Sequence, residues 1–245
     1  MKKTAKVRLF ANTPLSTGDD WVPEESQTHY LLNVLRFGPG EEVKVFDNHS
    51  GEYLGEITQV SKKSCTIRLK EKLRDMQQSP DLWLLFAPVK KDKTDFITAG
   101  ATELGIRRLV PVITRRTISE RVKKERFEAQ VIEAAEQSRR LDIPQVEDAR
   151  PLETVLKDWN KNRILYFMDE TGCGGSIAEV FGAAPKGTPA AILVGPEGGF
   201  AEEELELLRR LPFAKSVSMG QRILRAETAV QAALSCWQAW CGDWK

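Results

Sequence analysis

Gly195, Gly198 and Gly199 lie within five residues, behind the apolar run Ile192-Leu193-Val194 and ahead of Phe200 and the acidic stretch Ala201-Glu202-Glu203-Glu204. Glycine reaches backbone conformations closed to other residues and leaves peptide N–H and C=O groups bare. The segment therefore reads as strand, glycine turn and helix, with a planar or polar ligand able to lie over the turn. A second such segment follows: Val217-Ser218-Met219-Gly220 leaves a strand and Gln221-Arg222-Ile223-Leu224-Arg225-Ala226-Glu227-Thr228-Ala229 enters the last helix. Gly172-Cys173-Gly174-Gly175, after an apolar run ending at Met168, is a third. Alone, each is an ordinary strand-to-helix turn, but turns at one sheet edge frame a pocket. No GxGxxG follows the first strand of this region, no GK[ST] ends a loop and no GxSxG elbow occurs, so the dinucleotide, Walker and nucleophile-elbow fingerprints are absent.

The elements that carry these turns are legible in outline. Leu82 to Ala87 is a continuous apolar run, as in a strand covered on both faces. A helix is predicted from Lys93 to Leu104, with Gly105 as its C-cap. Strands at 109–113, 164–168, 192–194 and 216–219 then alternate with helices at 123–138, 152–159, 177–181, 202–211 and 226–240. Such alternation implies α/β architecture, a mostly parallel sheet with helices on both faces. Residues 7–74 instead show short strands, Val7 to Phe10, Glu42 to Phe46, Tyr53 to Ile57 and Ser64 to Leu69, with a turn at Asp47 to Gly51. One helix around His29 to Leu35 interrupts them, capped by Ser26 and stopped by Phe37-Gly38-Pro39-Gly40. The polar stretch from Leu73 to Pro80 reads as the boundary, giving a small barrel-like domain over 1–74 and a larger domain over 80–245.

The totals narrow the classes. The 245 residues carry 36 Lys and Arg against 35 Asp and Glu, a net charge of +1. That balance hides a segregation: Pro88 to Arg140 has thirteen basic and eight acidic residues, Leu141 to Glu206 five and thirteen. A basic stretch reads either as a solvated helix face or as a phosphate-facing surface for nucleic acid. No apolar run approaches the roughly 20 residues that span a bilayer, and Met1-Lys2-Lys3-Thr4 is not followed by a signal-peptide core, so no membrane association and a cytoplasmic location are expected. Four cysteines and two histidines lack metal-ligand spacing, which points to reduced thiols and no metal site. Trp237, Trp240 and Trp244 close the chain, and part of this aromatic set is expected to meet another subunit.

Leu193-Val194-Gly195-Pro196-Glu197-Gly198-Gly199-Phe200, followed by Met219 to Ala229, resembles the signature of the RsmE-type ribosomal RNA methyltransferases. Thr102-Glu103-Leu104-Gly105 and Glu136-Gln137-Ser138-Arg139-Arg140 are similar to further motifs of that family. The resemblance covers nearly the whole chain. It implies a PUA-like β-barrel, used for RNA docking, joined to a SPOUT domain whose carboxy-terminal part is threaded into a trefoil knot. It further implies transfer of a methyl group from S-adenosylmethionine to N3 of a specific uridine in the 16S RNA of the assembled small ribosomal subunit, by a homodimer. The rival is a non-catalytic RNA-binding assembly factor on the same fold.

The resemblance assigns the donor site to Phe167, Met168, Val194, Gly195, Glu197, Gly198, Gly199, Met219, Gly220, Ile223 and Leu224. Met219 stands where the family often has leucine, and Asp169-Glu170-Thr171-Gly172 departs from the family's usual loop. Methylation at N3 requires loss of the proton there, so Arg225 is expected to stabilise the uridine anion and Glu227 or Glu197 to accept the proton. Glu227 with Thr228 could instead satisfy free N–H groups at a helix start. Arg8, Arg36, Arg115, Arg116, Arg139, Arg140 and Arg222 are the expected RNA contacts.

Overall fold

The computed structural model describes residues 5, 7–118 and 123–244; the Met1-Lys2-Lys3-Thr4 start considered above lies outside them. It divides into two compact units, Met1–Gln78 with Ala135–Ile143, and Ser79–Ala134 with Pro144–Lys245.

The first unit contains β1 (Arg8–Phe10), β2 (Asp20–Trp21), α1 (Glu25–His29), a π-helical turn (Tyr30–Val34), β3 (Glu42–Phe46), β4 (Gly51–Val60) and β5 (Cys65–Asp75). The strands form one sheet in the order β1-β3-β4-β5-β2, antiparallel except for β1 on β3. Alternating side chains turn Val43, Val45, Ile57, Ile67 and Leu69 inward, and Leu31 of the π-helical turn joins this core. Asp47, fully buried, accepts the N–H groups of Leu15, His49, Ser50 and Gly51 and so closes the β3–β4 turn. Three local expectations are corrected. The helix starts after Glu24, whose N–H is taken by the Gln27 side chain at 3.1 Å, and Ser26 lies inside it. The chain reverses at Arg36, held at φ 58°, ahead of the glycines. Leu73 to Asp75 is paired strand, Asp75 lying opposite Gly51; its exposed side chains hid the strand's period.

Arg8 organises the rest of this unit. Its guanidinium donates to Glu52, to the carbonyls of Ala135 (2.7 Å), Glu136 (3.0 Å) and Arg140 (2.7 Å), and lies 4.0 Å from the Phe46 ring centre. Those carbonyls belong to the end of a helix, where the backbone dipole favours a cation. Burial pulls the Arg8 guanidinium below its ordinary pKa, and the Glu52 bond opposes that. Burial pushes the Glu52 carboxyl up, but bonds from Arg74 and Arg8 outweigh it and leave Glu52 below the usual carboxylate range. Arg8 is thus a buried structural residue, and the expectation that it touches RNA is corrected. Arg140, its side chain 8% exposed and paired with Asp142 at 3.0 Å, is likewise turned inward. Arg139 stays exposed at φ 62° while its carbonyl accepts a bond from Arg74.

The second unit runs β6 (Leu82–Phe86), α2 (Lys91–Glu103), β7 (Arg108–Ile113), α3 (Lys124–Ser138, its end counted with the first unit), β8 (Gln145–Val146), β9 (Arg150–Pro151), α4 (Leu152–Lys157), β10 (Ile164–Met168), β11 (Gly175–Ser176), α5 (Ile177–Gly182), β12 (Ala190–Val194), α6 (Glu202–Arg210), β13 (Ala214–Ser218) and α7 (Ala226–Trp240). The sheet order is β11-β13-β10-β12-β6-β7-β8, every pair parallel, with β9 also on β7. All five residues of β12 are buried, as a central strand covered by helices on both faces requires. The register sets Phe86 beside Val194 and Met168 beside Val217, so β6, β10, β12 and β13 end at one sheet edge. No helix among the described residues is long and apolar enough to cross a membrane.

Arg8→Ala leaves Glu52 buried with one partner fewer, and a loss of about 3 kcal/mol is expected in urea unfolding. The sign of the acid dependence follows from Glu52. Its folded pKa is depressed, so its contribution is complete above about pH 5 and is lost as pH falls through the folded value. Glu52→Gln is expected to flatten the acid limb of a stability-against-pH curve.

Candidate functional site

Three segments leave the common sheet edge, after β10, β12 and β13, and side chains from elsewhere hold them. After β10, Asp169 accepts the Thr171 N–H (3.0 Å) and hydroxyl (2.6 Å), the Arg209 guanidinium (2.9 Å) and the Ser216 hydroxyl (2.8 Å). Burial pushes the Asp169 carboxyl up, yet those bonds outweigh it and leave the group below the usual range. Its neighbour Glu170 accepts the Phe200 N–H at 2.8 Å and so joins this loop to the glycine turn after β12. Gly199 sits at φ 69° against Glu170, where a Cβ would collide with the carboxylate. A Cβ on Gly195 would lie 3.0 Å from the Phe200 ring.

The glycine turn is clasped from two other elements. Arg116, beyond β7, donates to the Gly198 carbonyl at 2.8 Å. Lys93 in the first turn of α2 pairs with Glu197, and that bond holds the Glu197 carboxyl below its ordinary value. Glu204 starts α6 by accepting the Ala201 N–H (2.8 Å) and the Arg115 N–H (2.9 Å). The third segment, Met219 to Arg225, leads into α7, with Gly220 at φ 94°.

These turns enclose a cavity of about 440 Å³. Of the residues expected at the donor site, Met168, Val194, Gly195, Glu197, Gly198, Gly199, Met219, Gly220, Ile223 and Leu224 line it, together with Arg116 and Arg222. Phe167 does not: strand alternation turns it into the core with Leu165 and Leu193, which corrects that expectation. Asp169, Glu170 and Thr171, from the loop after Met168 that the resemblance sets around the donor, line the cavity too, as do Glu202 and Leu205, which the sequence does not single out. The first three follow β10 directly, and that position is the signal for them. The charged lining comprises Asp169, Glu170, Glu197 and Glu202 against Arg116 and Arg222. Arg209 engages Asp169 and Lys93 engages Glu197, so Glu170 and Glu202 are the carboxylates left to meet the cationic part of a ligand, and the apolar walls of Val194, Leu205, Met219 and Leu224 suit a flat apolar part.

Arg225 is exposed and occupies the N-cap position of α7 without a capping side-chain bond. Glu227 lies in the first turn, with Oε1 3.8 Å from Lys93 and Oε2 buried and without a hydrogen-bond partner. Thus Oε2 is not used to cap the helix. Among the expected RNA contacts, Arg36, Arg139 and Arg222 are exposed, and Arg115 pairs with Glu203 at 3.0 Å on the surface.

Comparison with known proteins agrees with this geometry. Residues 77–238 match the family model described as RNA methyltransferase domain, and residues 23–70 match that of the RNA methyltransferase PUA domain. The chain is 36% identical over 229 residues to ribosomal RNA small subunit methyltransferase E of Rickettsia conorii, covering 93% of each chain. It is 30% identical to the Bacillus subtilis protein of the same name, covering 85% of this chain and 86% of that one. Among solved structures, ribosomal RNA small subunit methyltransferase E of Neisseria gonorrhoeae, bound to S-adenosyl methionine, superposes with a TM-score of 0.86 at 28% identity, covering 98% and 99% of the two chains. A Legionella pneumophila protein in complex with the same cofactor gives 0.84 at 26% identity, covering 97% and 98%. A cavity framed by the two late glycine segments, the paired domains and this degree of identity together place the chain in the ribosomal RNA small subunit methyltransferase E family.

Proposed function

We propose that this chain is a cytoplasmic enzyme that uses S-adenosylmethionine to methylate N3 of one uridine in 16S ribosomal RNA, with the assembled small subunit as its substrate. The observation that carries the reading is the cavity bounded by bare glycine backbone, apolar walls and four carboxylates, whose lining includes Leu224 and Ala226, the chain neighbours of Arg225 and Glu227. The residues present fit the donor. Backbone N–H and C=O groups at Gly195 to Gly199 can read an adenine edge, Val194, Met219 and Leu224 can cover its faces, and Glu170 and Glu202 can meet the cationic amino-acid end. When bound, S-adenosylmethionine supplies an electrophilic methyl carbon.

The chain's own task is to make N3 a nucleophile. Neutral uridine carries a proton there, and its removal leaves a negative charge spread over the ring. Arg225, exposed and uncommitted to a cap, stabilises that charge. Between the two candidate bases, Glu197 is engaged by Lys93 and held more acidic, hence a weaker proton acceptor. Glu227 has an oxygen without a partner and takes the N3 proton, becoming a neutral carboxyl that later loses it to water.

RNA binding falls to exposed guanidiniums, Arg36 and Arg139 in the first unit and Arg222 in the second, whose phosphate contacts make affinity fall with salt. A target held in a base pair must be extruded, because pairing covers N3. The exposed Trp240 and Trp244 support homodimer formation through aromatic anchors, and sedimentation analysis of the purified chain checks it.

Methyl-labelled donor incubated with small ribosomal subunits and with naked 16S RNA is expected to label the subunit, and a nucleoside digest to yield 3-methyluridine. Absence of transfer under conditions of binding favours the assembly-factor reading. Arg225→Ala is expected to lower kcat about a hundredfold, the scale of losing one donor to a developing anion. Glu227→Gln is expected to lower it about a hundredfold or more, whereas unchanged turnover in either variant removes that residue from the chemistry. Asp169→Asn is expected to weaken donor binding measured by calorimetry, since Thr171, Arg209 and Ser216 lose a charged acceptor.

A further inference from the structure

Three lysines crowd the start of α2. Lys90 stands at its N-cap position and makes no capping bond, and Lys91 and Lys93 fall in the first turn. The N-terminal end of a helix carries the positive end of the macrodipole, so local physics disfavours cations there. A choice of residue that local physics opposes calls for a tertiary reason. Lys93 has one. Its ammonium pairs with Glu197 of the glycine turn and stands 3.8 Å from Oε1 of Glu227 in α7. One half-buried cation thereby joins two segments distant in sequence, and both adjoin the cavity.

The two carboxylates receive unequal shares. Glu197 has the direct bond and also feels Lys90 and Arg225. Glu227 has only the longer approach, and its Oε2 has no partner at all. We propose that Lys93 is a positioning residue of the reaction: it ties the Gly195–Gly199 turn to the first turn of α7, and by engaging Glu197 it leaves Glu227 as the carboxylate able to receive a proton. This inference rests on the donor pocket proposed above.

The test compares Lys93→Met, Lys93→Arg, Lys93→Glu alone, the charge-swapped pair Lys93→Glu with Glu197→Lys, and the control Lys91→Met. S-adenosylmethionine affinity is read by calorimetry, kcat and KM by methyl transfer to small subunits, and folding by thermal melting. Lys93→Met is expected to weaken donor affinity about tenfold, within the range for coupled neighbours, and to lower kcat as well. Lys93→Arg keeps the cation and restores most of both. The swapped pair refastens the turn but sets a carboxylate against Glu227. Donor affinity therefore recovers above that of Lys93→Glu alone, short of wild type because a lysine now stands in the cavity lining, while kcat stays at the level of the single variant, a split that mere structural support would not produce. Lys91→Met leaves both parameters at the wild-type level. Equal affinity and kcat in Lys93→Met and wild type overturns the inference, as does a swapped pair whose kcat recovers in step with its affinity. Should Lys93→Met fail to fold, the arginine variant and the swapped pair still decide the matter. A wild-type chain that binds no S-adenosylmethionine refutes the pocket itself, whereas wild-type binding matched by Lys93→Met refutes only the role of Lys93.

Discussion

Parallel pairing of β10 between β12 and β13 is the constraint from which the site follows. Parallel neighbours must point the same way, so their carboxyl ends finish together, at Met168, Val194 and Ser218. In an open α/β sheet, ligands collect at such ends. The chain order is not the spatial order: β10 precedes both of its neighbours in sequence, and β12 in turn lies against β6. Loops far apart along the polypeptide are thereby brought to one edge without any of them being long.

A turn rich in glycine gains access to its ligand and loses the means of holding its own shape. The structure supplies the missing restraint from outside. Glu170, Arg116 and Lys93 reach the Glu197–Phe200 stretch from three separate elements. Each contact is charge-assisted, and such bonds are stronger than neutral ones. Glu170 and Arg116 also line the cavity, so part of the conformational restraint and part of the electrostatic preference come from the same side chains.

What the sequence disclosed depends on the physics involved. The limits of α7, β3 and β10 were legible because an apolar stripe or run marks them, and Gly105 caps α2 at φ 80° as glycine should. The glycine turns announced themselves by composition, and most of the expected donor-site residues line one cavity. Strands as short as β2, β8, β9 and β11 carry no period to read. Phe167 was misassigned because strand ends alternate, and adjacency to the turn does not decide which face a residue takes. Arg8 looked like a surface cation, since nothing local shows that a helix end 127 residues away supplies its acceptors. Lys93 was missed for the same reason, its partners being 104 and 134 residues distant.

The discontinuity of the first unit bears on how the chain is made. Synthesis proceeds from the amino terminus, and the β strands of this unit emerge first. The carbonyls of Ala135, Glu136 and Arg140 that satisfy Arg8 are still untranslated at that point. A sheet in which Arg8 has Glu52 but lacks its three carbonyl acceptors must therefore wait in the nascent chain until Ile143 has appeared, when more than half of the 245 residues have been joined.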